Sequence, residues 1–588
     1  MQRTLIGSLD KNNLSQNILV SGWVENIRDH GGVIFIDLRE GLNILQVVVE
    51  PQNKEIFNIA ESVRNEYVIS VSGLVSARPE GTINTKMSTG EIELNSDSLE
   101  ILSKSKPMPF QLDEHIKVGE ETRLKYRYLD LRRSEMQKNI RLRSKISSQI
   151  RSFLTNQDFI DIETPMMTKA TPEGARDFVI PSRVNQGSFY ALPQSPQLFK
   201  QLLMISGFGK YFQVVRCFRD EDTRKDRQPE FTQVDIEMSF TSSQEIMDTA
   251  EELIKSVYKK AIDVELDKFP TLSYSEAMKK FGSDKPDLRN PLEFKDVKEV
   301  FINSEFKVFG GPANDINSRL VALKVSSPLT RKQIDEYTKF VGNYGAKGLA
   351  YIKVNDSKDL KEGLQSPILK FLSDDEIEKI SSQLDFASGD TIFFGAGHRK
   401  IVNESMGALR EKLGLDLSLI NQAEWSPVWI IDFPVFDEGL DGSLTPSHHP
   451  FTRTSSEIEI LEKDPASAVA EAYDLVINGY EIGGGSMRIH NSVEQRKVLS
   501  ILGIEEKEAE EKFGFFLEAL DYGCPPHGGI AFGLDRLAML ICNEDSIRDV
   551  IAFPKTQSAY CLMTDAPCPI SDDELKALAI KNTSKPKE

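Results

Sequence analysis

The first 103 residues alternate apolar and polar positions in short runs: ILVSGWVENI, GVIFIDLRE, ILQVVVE, YVISVSGLVSA and EIELNSDSLEIL, separated by Gly and Asn/Asp turns. Period-two alternation predicts half-buried strands, and five of them in a segment this short predict a small closed barrel. SKSKPMPF follows, where Pro107 and Pro109 oppose helix and mark a linker. Residues 134–156 space their apolar side chains as an amphipathic helix. Two extended runs come next, YFQVVRCFRDED and EFTQVDIEMSF. From 286 to 420 helical and strand patterns mix without a chemical motif, as expected of an inserted α+β domain. Strands resume at VWIIDFPVF and continue to AFGLDRLAMLI. The expected segments are a barrel over 1–103, a linker or hinge over 104–133, a central domain in two parts over 134–285 and 421–565, the insertion over 286–420, and an extension over 566–588.

Composition narrows the class. With 588 residues, 40% hydrophobic and 27% charged, the chain is a multidomain globular α+β protein, not a disordered one. The start, MQRTLIGSLDKNN, lacks the apolar core of a secretory signal, and no run is long enough to cross a membrane. The five cysteines (Cys217, Cys524, Cys542, Cys561 and Cys568) form neither a disulfide framework nor a zinc spacing. A cytoplasmic location is the expectation. The net charge of −19 excludes a generic nucleic-acid coater. Residues 104–151 nevertheless hold 13 Lys/Arg against 6 Asp/Glu. That excess reads either as a solvated helix face or as a strip touching phosphates.

Candidate chemistry lies in a few places. Along EFTQVDIEMSF, Phe231, Gln233, Asp235 and Glu237 share one face of a strand. The face is either solvent-exposed or a ligand floor, with Phe231 as a stacking platform and Arg219 as a phosphate ligand. In AYDLVINGYEIGGGSMRIH, Asn478-Gly479 predicts a two-residue hairpin turn that pairs Ile477 with Tyr480, Val476 with Glu481 and Asp474 with Gly483. Asp474 and Glu481 become diagonal neighbours about 7–8 Å apart at the backbone. They are either two unrelated surface acids or a pair bridging a divalent cation. Strict alternation puts Arg488 on the face opposite Glu481, so both reach one site only if the glycine run, Gly483 to Gly485, contains a bulge. In GGIAFGLDRLAML a strand passes through Gly533 into a helix near Asp535, where Arg536 adds charge to an anion-favouring terminus. LTPSHHPFT offers His448 and His449 without a third metal ligand nearby, and reads as a substrate-sensing loop. KATPEGARDF is a connecting loop or a lid carrying Glu173.

Taken together, these motifs resemble class II aminoacyl-tRNA synthetases, most closely the bacterial-type aspartyl branch. FIDIETPMMTKATPEGARDF is similar to the first class II motif with its proline, Pro165, at a homodimer interface. FRDED…RQPEFTQVDIEMSF is similar to the second and GGIAFGLDRLAML to the third, while QSPQLFKQLLM, HHPFT and YEIGGGSMRIH resemble the aspartate-site segments.

The resemblance implies an N-terminal OB-type barrel, a class II antiparallel sheet flanked by helices, and ATP-dependent attachment of L-aspartate to tRNA. It implies that Arg219 binds the α-phosphate and the amino-acid carboxylate, that Asp220, Glu221 and Gln228 contact ATP, and that Phe231 and Arg536 sandwich adenine beside Gly533, Leu534 and Asp535. Asp474 and Glu481 would hold Mg²⁺. Arg488, supported by Lys200, would pair with the aspartate side chain; Gln197, Asp235 and Glu173 would receive its amino group; His448 would close over it. Arg219, Glu481 and Arg536 are the implied catalytic residues. In the barrel, Phe35 would stack an anticodon base, with Arg28, Gln46 and Glu93 as edge or backbone contacts. His30 and Gly81 resemble members that charge both tRNA(Asp) and tRNA(Asn). That relaxed reading carries an amidotransferase partner, and the alternative is a strictly tRNA(Asp)-specific ligase.

Overall fold

The computed structural model describes residues 2–112, 118–171, 174–439, 442–456 and 458–583. It has two compact units: Met1–Lys145 with Thr223–Lys225 and Cys542–Pro569, and Ile146–Asp222 with Asp226–Ile541 and Ile570–Glu588. Among the described residues no helix is long and apolar enough to cross a membrane.

In the first unit, β1 (Asn17–His30), β2 (Val33–Glu40), β3 (Asn43–Val49), β4 (Val68–Ala77) and β5 (Ile92–Ser103) close a barrel in the order β1-β2-β3-β5-β4, and α1 (Lys54–Ser62) packs against it. The alternation of the sequence becomes alternation of burial: Ile18, Val20 and Val24 of β1 face a core shared with Ile36, Leu38, Val47, Val71 and Leu94.

After the barrel in the chain come α2 (Glu120–Lys125), α3 (Arg127–Asp130) and the start of α4 (Ser134–Asn156). Three arginines of the basic stretch turn inward here, while Lys104, Lys106, Lys125, Lys138, Arg141, Lys145 and Arg151 stay exposed. The fully buried Asp130 accepts from Arg123 at 3.0 Å, Arg127 at 2.5 Å and Arg133 at 3.4 Å. Arg123 also reaches Asp549 at 2.9 Å, and Arg127 caps the carbonyls of Arg548, Ile551 and Ala552. A guanidinium has five donors and stays charged, so it can tie several acceptors together inside the fold. These three arginines are not a phosphate strip.

The second unit is built on an antiparallel-rich eight-stranded sheet. Its strands are β6 (Ile160–Asp161), β7 (Lys210–Phe218), β8 (Glu230–Ser239), β9 (Thr271–Ser273), β10 (Pro427–Ile431), β11 (Ala472–Ile477), β12 (Tyr480–Met487) and β13 (His527–Gly533), in the order β9-β10-β11-β12-β13-β8-β7-β6. Helices α5 (Gln197–Ile205) and α6 (Ser243–Ile262) pack on it, and α7 (Leu534–Ile541) continues directly from β13. α6 starts in a capping box, the Ser242 hydroxyl accepting from the Glu245 N–H while the Glu245 carboxylate accepts from the Ser242 N–H. Between Phe294 and His398 lies a separate five-stranded sheet, flanked by helices that include Arg331–Gly342 and Arg399–Asp416.

The β11–β12 hairpin has φ of 53° at Asn478 and 84° at Gly479, as a two-residue turn of matching twist needs. Ile477 pairs with Tyr480 and Val476 with Glu481, as expected. The next step differs: Leu475 faces Gly483, so Asp474 faces Gly484 and not Gly483. One extra residue, Ile482, is inserted at the entrance to the glycine run. Because side chains alternate, that bulge brings Glu481 onto the face carrying Gly484, Ser486 and Arg488.

Candidate active site

A row of directly paired residues crosses four strands on one face: Asp235, Ala531, Gly484 and Asp474. The next row sets Glu237 against Gly529 and Ser486. Acids on the outer strands and small residues between them make a trough. The small residues are required, since a Cβ on Gly484 would lie 2.7 Å from Asp474 Oδ1 and one on Gly529 would lie 2.1 Å from Glu237 Oε2. Over this floor is a cavity of about 470 Å³. Gln197, Lys200, Arg219, Glu221, Asp235, His448, Asp474, Glu481 and Arg488 all line it.

The inner end is a buried charge cluster. Arg488 donates Nε to Glu237 Oε1 at 2.9 Å and Nη2 to Oε2 at 3.1 Å, while Nη1 reaches His449 Nε2 at 2.7 Å and Ser486 Oγ at 2.6 Å. Lys200 Nζ lies 3.0 Å from Asp235 Oδ1 and 3.5 Å from Glu237 Oε2. Burial works against the Glu237 carboxylate, but Arg488 and Lys200 override it and its pKa falls. Asp235 is raised, because burial outweighs Lys200 there, and among the described residues its Oδ2 has no hydrogen-bond partner. Burial and then Arg488 push His449 far down, so it is neutral and its Nε2 accepts from Arg488. Of the four residues on this face of β8, Asp235 and Glu237 are buried and Phe231 and Gln233 half-buried, and Gln233 and Asp235 line the cavity.

At the other end, the Arg219 guanidinium lies over the Phe231 ring, 5.0 Å from its centroid, within cation–π range. The Arg219 Nε is buried without a hydrogen-bond partner among the described residues. Arg536 donates to the Glu481 carbonyl and lies 3.2 Å from Asp226. His448 Nε2 is 2.9 Å from Asp474 Oδ1. Burial first, then Glu481 and Asp284, raise Asp474 to about 6. Burial opposes charge on His448, but Asp474 wins and its pKa rises. Among the described residues no group of three or more His, Cys, Asp or Glu side chains is arranged to hold a metal. The paired Asp474 and Glu481 fit a hard cation whose remaining ligands are phosphate oxygens and water.

Several expected residues sit elsewhere. Leu534 and Asp535 are buried, and Asp535 Oδ2 accepts the Thr232 N–H at 2.8 Å, pinning α7 to β8. Gln228 is buried, Asp220 pairs with Arg176 at 3.6 Å, and neither lines the cavity. Glu173 lies outside the described residues. Glu237 and His449 are the residues whose roles the sequence did not fix: strand alternation put Glu237 on the right face, but only the fold brings Arg488 to it.

On the barrel, Arg28 pairs with Asp37 at 2.8 Å and Gln46 Nε2 donates to Glu93 Oε2 at 2.9 Å. Phe35 is directly opposite Arg28 and stays outside the barrel core, with the His30 ring edge-on at 6.3 Å. The four implied anticodon contacts thus share one patch. Gly81 sits at φ 87° in an exposed loop with no atom within 4 Å of where a Cβ would be.

Comparison with known proteins agrees with this geometry. The profile for "tRNA synthetases class II (D, K and N)" matches residues 119–557, and that for "OB-fold nucleic acid binding domain" matches 18–102. An aspartate–tRNA(Asp/Asn) ligase of Legionella pneumophila (strain Paris) is 56% identical over 586 residues, covering 99% of each chain. The enzyme of the same name from Ruthia magnifica subsp. Calyptogena magnifica is 54% identical over 584 residues, again covering 99% of each. Among solved structures, the asparaginyl-tRNA synthetase of Pyrococcus horikoshii with asparaginyl-adenylate has the same fold, with TM-score 0.60 and 18% identity over 95% of this chain and 98% of that one. A floor of paired acids and cations on an antiparallel sheet, a closed five-stranded barrel and these full-length similarities lead to one assignment: the chain belongs to the class II tRNA synthetases of the D, K and N group.

Proposed function

We propose that the chain attaches L-aspartate to tRNA through an aspartyl-adenylate, and that it accepts both tRNA(Asp) and tRNA(Asn). The observation that carries the amino-acid assignment is the Arg488–Glu237–Lys200 cluster. Glu237 fixes the Arg488 fork, and Arg488 and Lys200 stand as two fixed cations beside Glu237 and Asp235. A carboxylate side chain meets ionised donors there, and a neutral amide gains less from them. Asp235 Oδ2 supplies an acceptor for the ammonium group.

Arg219 belongs at the junction of amino acid and nucleotide. Its guanidinium meets the α-phosphate as the aspartate α-carboxylate attacks in line and pyrophosphate leaves. Little covalent help is needed when fixed cations stand where charge develops. Asp474 and Glu481 would hold Mg²⁺, which neutralises phosphate charge when bound. Glu221 and Phe231 serve the nucleotide, and Arg536, steadied by the Glu481 carbonyl, faces the same end. A terminal-adenosine hydroxyl then attacks the adenylate. The barrel reads the anticodon through Phe35, Arg28, Gln46 and Glu93.

The name of the close relatives, with His30 and Gly81, supports the two-tRNA reading and therefore coupling to an amidotransferase that corrects Asp-tRNA(Asn). A homodimer through the Pro165 region, a cytoplasmic location, and the segmentation with an insertion over 286–420 belong to the same proposal. The test is pyrophosphate exchange with ATP and aspartate, asparagine or lysine, followed by charging of purified tRNA(Asp) and tRNA(Asn). Exchange with aspartate alone and charging of both tRNAs is expected. No exchange with aspartate removes the reading; charging of tRNA(Asp) only restores the strict ligase.

A further inference from the structure

Beneath the amino-acid end of the cavity runs a buried hydrogen-bond chain of which only Gln197 has a role assigned above. His527 Nδ1 lies 2.8 Å from the Pro525 carbonyl, His527 Nε2 lies 3.1 Å from Gln201 Nε2, and Gln197 Nε2 lies 3.0 Å from Gln201 Oε1. His527 and Gln201 are wholly buried, and Gln197 lines the cavity. The direction of every bond follows from the far end. A carbonyl only accepts, so Nδ1 carries the His527 proton. In a neutral imidazole Nε2 is then an acceptor, which takes the Gln201 amide N–H. Burial holds His527 below its ordinary pKa, consistent with the neutral form. The Gln201 oxygen is thereby turned toward Gln197 and takes one of its N–H groups. The Gln197 Oε1 is the end left over.

We propose that Gln201 and His527 are positioning residues that lock the sense of the Gln197 amide, so that it presents oxygen, not NH₂, to the α-ammonium group of the amino acid. An amide is nearly symmetric in shape, so hydrogen bonding is what tells its two ends apart. A flipped Gln197 would aim its donors at an ammonium that has only donors. The choice is fixed from the Pro525 carbonyl through His527 and Gln201, whose side chains make no hydrogen bond to Arg488, Glu237 or Lys200, although the His527 backbone carbonyl accepts the Arg488 backbone N–H at 2.9 Å. The inference rests on the proposed aspartate reading.

The test compares L-aspartate with succinate, which keeps both carboxylates and lacks the amino group. In Gln201→Met and His527→Leu the KM for aspartate in pyrophosphate exchange should rise about tenfold or more, the scale of a lost hydrogen bond to a charged group. The inhibition constant of succinate and the KM for ATP should stay within twofold. His527→Gln, which keeps an acceptor for the Gln201 amide, should recover most of the aspartate affinity. Equal losses for aspartate and succinate, or unchanged aspartate KM in Gln201→Met, would overturn the proposal. So would misfolding of His527→Leu that His527→Gln fails to reverse, since that marks a packing role. Wild-type protein without aspartate-dependent exchange would overturn the parent reading and this one with it. A wild type that exchanges normally beside an indifferent Gln201→Met overturns only this one.

Discussion

Glu237 grips Arg488 through both carboxylate oxygens, at 2.9 and 3.1 Å, in a place where neither side chain reaches solvent. A buried pair of this kind is valuable for its geometry more than for its stability, since removing one partner leaves a bare charge at a cost of about 3–5 kcal/mol. Arg488→Leu should abolish aspartate activation while ATP still binds. Glu237→Gln should weaken aspartate activation by at least about 100-fold, because the fork loses its charged anchor. Exchange kinetics and nucleotide titration separate the two effects; normal aspartate activation in Arg488→Leu would reassign the residue.

The space beside Gly484 is the second test. A methyl group there would sit 2.7 Å from Asp474 Oδ1 and 3.8 Å from Glu481 Oε1. Gly484→Ala should displace the Asp474 carboxylate and raise the Mg²⁺ concentration for half-maximal exchange several-fold, with the aspartate KM little changed. A Mg²⁺ titration of the exchange rate measures this.

Acid should act through Asp474. Its folded pKa, about 6, lies above the ordinary carboxylate value, so the charged form is disfavoured by folding. This carboxyl therefore favours the folded state at low pH, and that contribution fades as pH rises from the ordinary carboxylate range through 6. Activity has the opposite sign. At limiting Mg²⁺, exchange should fall as pH drops through about 6 and the ligand is protonated. His448→Asn removes a group that lowers the Asp474 pKa, so the midpoint should move upward; an unmoved midpoint would argue against the pair.

The barrel is separable from activation. Phe35→Ala should leave pyrophosphate exchange intact and reduce tRNA charging by roughly 5- to 150-fold, the range for losing one stacked base. Equal loss in both assays would place Phe35 in folding and not in RNA contact.

At the hairpin, Gly479 has φ 84° and its Cβ position is 3.2 Å from the Asp287 Cβ. Gly479→Val should destabilise the protein by about 1–3 kcal/mol, seen as a lower melting temperature.

Elements with a strong local signal were legible. The barrel strands, the long helix and the Asn478-Gly479 turn follow from periodicity and turn chemistry alone, and the floor of β8 follows from alternation. Long-range charge partners were not. Asp130 reads as one more surface acid until the fold sets three guanidinium groups around it. His449 reads like its neighbour, yet one faces a carboxylate and the other a guanidinium, so their pKa values part in opposite directions. Asp535 sits in the expected motif but spends its carboxylate on the Thr232 backbone, a bond visible only once two distant segments are side by side.

The single residue Ile482 sets the parity of everything after it on its strand. Removing it would send Gly484, Ser486 and Arg488 through the sheet to the other side while Glu481 stayed behind. A one-residue deletion there should thus be more damaging than a conservative change at any one contact, and a compensating insertion before Gly484 should be its natural suppressor.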